Sequence, residues 1–168
     1  MTAPTAPKTR QRGRRAPTSA SPKAGTVSPS PEAYAAFIRG VELRDVRLTE
    51  AHAISHASRF DSEALTVDVG MEGRIERVPA EDCHAFEAHA TLALTATDQE
   101  GREQARVTAT YALRYDSEVE PTDAMLDIFL NLNASVNVWP YLREYAQQTI
   151  TRFGWTPLVL PSLKTLRP

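Results

Sequence analysis

Four stretches of the chain alternate apolar and polar residues with period two, the pattern of strands with one buried face. In the first, Val41 and Leu43 share a face and Val46 and Leu48 follow one position out of phase, which predicts a β-bulge near Arg44 and Asp45. Leu65, Val67, Val69 and Met71 line the second, with Ile75 continuing it past Gly73. Phe86, Ala88, Ala90, Leu92, Leu94 and Ala96 line the third, and Ala105, Val107, Ala109, Tyr111, Leu113 and Tyr115 the fourth. The polar stretch Asp98-Gln99-Glu100-Gly101 between the last two has the composition of a hairpin loop. Local connections and half-polar strands predict an antiparallel sheet.

Helical spacing flanks this strand region. Ser30 is a candidate N-cap with Pro31 at N1 and Glu32 in the first turn, followed by Tyr34, Phe37 and Ile38, which predicts a short helix over 31–39. After the strands, Pro121-Thr122-Asp123 can cap a short helix carrying Met125, Leu126, Phe129 and Leu130. A longer helix follows, with Pro140 expected in its first turn and a stripe of Val138, Leu142, Tyr145, Thr149 and Phe153. Gly154 stands where a C′ residue belongs, and Trp155 at C″ is placed to touch Ile150 in a Schellman cap. Beyond it, Leu158, Val159, Leu160 and Leu163 lie between and after Pro157 and Pro161, an extended apolar segment laid over the core or a groove. The fold class is α+β: a four-stranded antiparallel sheet, then a short helix and a long helix.

The first 29 residues lack the large apolar side chains that offset the entropy of ordering, so 1–29 is predicted to be a disordered tail and 30–168 a single domain. Charge divides at the same place. Lys8, Arg10, Arg12, Arg14, Arg15 and Lys23 meet no acid in the tail, so the net charge of −2 hides a basic tail and an acidic body. Such a body suits basic or unfolded partners more than nucleic acid. The tail itself reads either as a solubilising extension or as an electrostatic arm, which would make the protein a nucleic-acid-associated adaptor; it lacks the aromatics of a base-stacking segment.

Catalytic chemistry finds no constellation in the sequence, so no enzyme and no cofactor are expected. There is no phosphate-cradling glycine loop, no Gly-x-Ser-x-Gly elbow and no His-Glu-x-x-His motif. His52 and His56 are spaced by four, but Ala53 stands where a zincin has its glutamate, and the segment reads as loop. Asp82, Cys83, His84 and His89 carry ligand-type side chains, yet neighbours in a strand point to opposite faces, so no metal site is expected. One cysteine closes no intramolecular disulfide and no apolar run approaches a membrane span, which places the protein in the cytoplasm without membrane insertion.

Residues 137–163 are more specific. Asn137-Val138-Trp139-Pro140-Tyr141-Leu142-Arg143-Glu144, then Gly154, then Pro157-Leu158-Val159-Leu160-Pro161, resembles the SecB protein-export chaperone family, whose helix opens with Pro-Tyr-x-Arg-Glu and ends at a Gly before a Pro- and Leu-containing segment. The order of strands and helices resembles that family more loosely over 40–166. The resemblance implies an ATP-independent holdase, a dimer of dimers that holds unfolded or nascent polypeptides in apolar grooves before they meet the motor SecA. Export members continue into a second helix and a metal-binding tail, whereas this sequence ends at Pro168. Truncated SecB-like proteins include chaperones devoted to one client, notably antitoxins of toxin–antitoxin modules.

Two sets of site residues follow as expectations. Met125, Leu126, Phe129, Trp155, Pro157, Leu158 and Leu160 would line a client groove, the C-terminal segment facing the short helix. Val138, Pro140, Tyr141, Leu142, Arg143, Glu144, Tyr145 and Thr149, together with the first strand, would form the subunit interface of a homo-oligomer, because a bulged edge strand and an aromatic helix face are poorly placed in water. For Tyr141, Arg143 and Glu144 the expected role is structural, holding helix to sheet or subunit to subunit, and the alternative is contact with client.

Overall fold

Helix α1 (Pro31–Arg39) opens the described part of the chain as its sequence predicts: Ser30 Oγ accepts a hydrogen bond from the Ala33 N–H, and Pro31 occupies the first turn. The structure, a computed structural model, describes residues 28–56, 65–156, 158–160 and 162–163. The predicted tail lies, but for its last two residues, outside the described residues, as do Pro157 and Pro161.

Strands β1 (Val41–Ser55), β2 (Thr66–Val78), β3 (His84–Thr97) and β4 (Glu103–Ser117) form one antiparallel sheet in the order β1-β4-β3-β2. The β3–β4 hairpin is the one expected. Asp98 accepts from the backbone N–H groups of Glu100 and Arg102, and Gly101 takes φ 79°, where a side chain would be strained. The backbone N–H of Arg102 and its guanidinium hold the Asp98 carboxyl below its ordinary range. β1, however, pairs with the last strand and not with β2, so the expectation of purely local connections is corrected. Hydrogen bonding of β1 to the long core strand β4 outweighs the entropy of a longer connection, which grows only slowly with length.

β1 also runs further than its pattern suggests. The predicted bulge lies between Leu43 and Asp45, and a second register shift follows between Leu48 and Glu50. That second slip moves the inner face to Ala51 and Ala53, whose small side chains give little signal, so the segment read as loop around His52 is strand through Ser55. Inner-face residues of all four strands point the same way, with Tyr115, Leu113, Val107, Phe86, Leu92 and Leu94 fully or almost fully buried.

Helix α2 (Asp123–Phe129) is capped by Thr122, whose Oγ1 accepts from the Met125 N–H. A π-helical turn (Leu130–Ala134) then carries the chain without a break into helix α3 (Ser135–Arg152). Ser135 Oγ bonds the Leu130 carbonyl at 2.8 Å, occupying an acceptor that the wider turn leaves without its usual partner. The two predicted helices are therefore one, and Pro140 lies in its interior instead of its first turn. The missing N–H of Pro140 costs less here because Pro140 and Val136, four residues before it, both face solvent.

At one end of the sheet Phe37, Phe86, Tyr115 and Phe129 pack with ring centroids 4.8–6.0 Å apart. At the other, Ile150, Trp155 and Leu158 meet Leu94, Ala96 and Val67. The helix end has the predicted Schellman geometry: Trp155 N–H to Ile150 O at 3.3 Å, Gly154 N–H to Thr151 O at 2.9 Å, and Gly154 at φ 78°.

Candidate binding surfaces

Helix α3 covers the middle of the sheet and leaves a flank on each side. Val138, Leu142, Ala146 and Ile150 face the strands and are buried. Toward β1, the ring of Tyr141 approaches that of Tyr111 at 5.9 Å, and the inner-face residues Leu43 and Leu48 are 42% and 43% exposed. Val46 and Tyr145 add half-buried apolar area to this flank. Burial raises the Tyr111 pKa first, and the charges of Glu144 and Tyr145 add to it, so its phenol stays neutral.

Toward β2, alternate residues Leu65, Val69, Met71 and Ile75 are half-buried on the inner face, where a central strand would bury them fully. Leu130 reaches this strand at Gly73, where a Cβ would lie 3.0 Å from Leu130 Cδ1. Phe153 touches Trp155, their centroids 6.2 Å apart, and Trp139 lies three helical turns before Ile150 on the same side of α3. The lower end of this flank is a narrow cleft lined by Leu65, Val67, Leu94, Ala96, Ile150, Trp155, Thr156 and Leu158, with a free volume near 10 Å³, room for one water. The chain's own C-terminal segment fills it.

The predicted groove residues do not come together. Met125, Leu126 and Phe129 are buried at the aromatic end of the sheet, whereas Trp155 and Leu158 lie at the far end of the strands. Trp155, Leu158 and Leu160 are themselves core, Leu160 only 1% exposed, while Val159 between them is 66% exposed. From Leu158 to Leu160 burial alternates, and the inward side chains are spent on the chain itself. Pro157 lies outside the described residues.

The predicted interface residues divide by helix face. Val138, Leu142 and Thr149 turn into the chain's own core, which removes them from any surface. Pro140, Tyr141 and Glu144 are exposed, and Arg143 and Tyr145 half-buried. Leu65, Val69, Met71 and Trp139 belong to neither set of expected site residues, and Phe153 entered the sequence reading only as the end of the helix stripe. No sequence signal marked that row as a surface, because local connections would set β1 beside β2 and only the observed strand order makes β2 an edge.

The outer face of the sheet is charged. Arg47 on β1 reaches across β4 to Glu87 on β3 at 2.5 Å, over the fully buried Ala112. Arg74 holds Glu76, Arg44 holds Asp116, and Arg106 holds Glu103. Desolvation, then the Asp116 carboxylate, raise the Cys83 pKa and disfavour its thiolate.

The four-stranded antiparallel sheet with helices on its inner face matches the fold of a SecB-like chaperone of known structure. No family model matches the chain. Among curated proteins, the SecB-like chaperone MT2006 of Mycobacterium tuberculosis (strain CDC 1551 / Oshkosh) is 23% identical over 144 residues, covering 76% of this chain and 80% of its own length. Among solved structures, the Mycobacterium tuberculosis Rv1957 SecB-like chaperone, in complex with a ChAD peptide from the Rv1956 HigA1 antitoxin, matches with a TM-score of 0.65 at 24% identity over 75% of this chain and 93% of that one. The chain is SecB-like, in sequence pattern and in fold. Among the described residues no helix is long and apolar enough to cross a membrane.

Proposed function

We propose that this protein is a molecular chaperone that holds non-native segments of a dedicated polypeptide client, without nucleotide and without catalysing a reaction. The observation that carries the reading is the likeness to a SecB-like chaperone solved with an antitoxin peptide in place. The two apolar flanks support it by giving such a protein two separate tasks. The β1 flank takes a second copy of the chain: it presents an unpaired edge of 15 residues with Leu43, Leu48 and Tyr141 exposed beside it. The β2 flank takes client, with Leu65, Val69, Met71, Trp139 and Phe153 as its contacts and the Trp155–Leu160 segment as its floor.

Apolar area buried there contributes roughly 25 cal/mol per Å², and the acidic body favours clients with basic stretches. An antitoxin-type client fits better than bulk export through SecA, since the groove floor is closed and leaves one short strip. The test is suppression of aggregation of a chemically denatured chain, followed by light scattering with the wild type and with Met71→Lys. The wild type should suppress and Met71→Lys should lose several-fold of that activity at unchanged oligomer mass. A wild type that protects no denatured chain and retains no unfolded peptide would refute the chaperone reading, and full activity of Met71→Lys would refute the assignment of the β2 flank.

A further inference from the structure

We propose that Glu76, Glu87 and His89 form a binding site for a divalent transition-metal cation of the zinc type, on the outer face of the sheet and away from both apolar flanks. Antiparallel register sets Glu76 of β2 directly opposite Glu87 of β3, and His89 stands two residues along β3 on the same face. Like charges directly opposite each other in a sheet repel, and cations beside such a pair offset that cost. Each carboxylate spends one oxygen on an arginine: Glu76 Oε2 bonds Arg74 at 2.9 Å and Glu87 Oε2 bonds Arg47 at 2.5 Å. The two remaining oxygens both turn toward His89 Nε2, Glu76 Oε1 at 3.3 Å and Glu87 Oε1 at 3.0 Å.

That nitrogen is the second, independent observation. The side chains of Glu87 and His89 are only 10% and 12% exposed, and His89 Nε2 is shut off from solvent, yet neither oxygen lies where a ring N–H would make a hydrogen bond. A buried polar atom without a hydrogen bond is costly, and a lone pair directed at a cation removes the cost. The separations suit one. With bonds of about 2.0–2.1 Å, the edges of a tetrahedral zinc site are about 3.3 Å long. All three donor atoms lie within 4.8 Å of one another. A bound ion would take the Nε2 lone pair of His89 and one oxygen from each carboxylate, with water in the fourth position. One imidazole with two oxygens selects a zinc-type ion over magnesium or calcium, which ask for six or more oxygens. Arg47 and Arg74 act as the outer ring that orients the carboxylates. The bound ion would tie edge strand β2 to β3, behind the strand whose inner face forms the proposed client flank.

The experiment is calorimetric titration of the chelator-treated full chain with zinc chloride, repeated with magnesium chloride and on the variants His89→Gln, Glu76→Gln and Cys83→Ser. The expected result is one equivalent of zinc bound at micromolar affinity or tighter, at least tenfold weaker binding in His89→Gln and in Glu76→Gln, and no change in Cys83→Ser. Glu76 is half exposed on an edge strand, so Glu76→Gln keeps the test open if His89→Gln fails to fold. Absence of zinc binding, equal binding by both ligand variants, loss of binding in Cys83→Ser, or magnesium binding as tightly as zinc would each overturn the site.

Discussion

The two edges of this sheet are finished in different ways. β2 keeps an unbroken register with β3, and its inner face is backed at one end by Trp155 and Leu158 from the same chain. β1 is bulged twice against β4, and its inner-face leucines remain exposed. A bulge increases local twist and disrupts the ladder, which discourages indiscriminate pairing while leaving the strand's apolar face available. The difference teaches that one edge is completed largely by its own sequence and the other keeps its apolar side chains exposed. An apolar edge completed in cis is suited to a ligand that comes and goes, and one left open to a permanent neighbour.

The largest effect that could break this contrast concerns the cis completion. Leu160→Ala should cost about 2–5 kcal/mol, as for any well-buried leucine, read from denaturant unfolding. A loss under about 0.5 kcal/mol would mean that the C-terminal segment is a detachable cover, and both edges would then be open. By the same reasoning Leu158→Asp is a folding variant and not a clean probe of binding, since Leu158 is core.

On the β1 side, Leu48→Arg should weaken self-association at least tenfold, about 1.4 kcal/mol, and lower the mass seen by light scattering at micromolar concentration. Met71→Lys should leave the mass alone. If the two variants exchange effects, the flanks have been assigned the wrong way round.

Smaller still, Gly154→Ala should cost roughly 1 kcal/mol through its positive φ, lowering the melting temperature without changing the mass. A further effect is confined to alkaline pH. Burial pushes the phenols of Tyr34 and Tyr115 up to about 12, so the folded state holds those protons where the unfolded chain, titrating near its ordinary value of 10.0, has released them. Their contribution to stability is complete below pH about 10 and is lost as pH rises toward 12. Phenolate absorbance should show both groups titrating late in the folded protein and together with the others in denaturant.

Local order was legible in the sequence because it is written in local spacing. The four strands, the first bulge, the Asp98–Gly101 loop, the Ser30 and Thr122 caps and the Gly154 helix stop each depend on residues a few positions apart, and each is present. So was the SecB-like architecture, through the run from Asn137 to Glu144 and the Leu-Pro segment after Gly154. Tertiary structure alone decided which strand lies beside which, because β1 pairs with residues 50 to 76 positions further along the chain and alternation marks a buried face without naming its neighbour. It merged two predicted helices through a π turn that no spacing rule announces, and it turned Val138, Leu142 and Leu160 inward where amphipathicity could not tell a core from an interface. The meeting of Glu76 with Glu87 and His89 belongs to the same class: it exists only once the register of β2 on β3 is set, and a shift of one residue would send Glu76 to the other face.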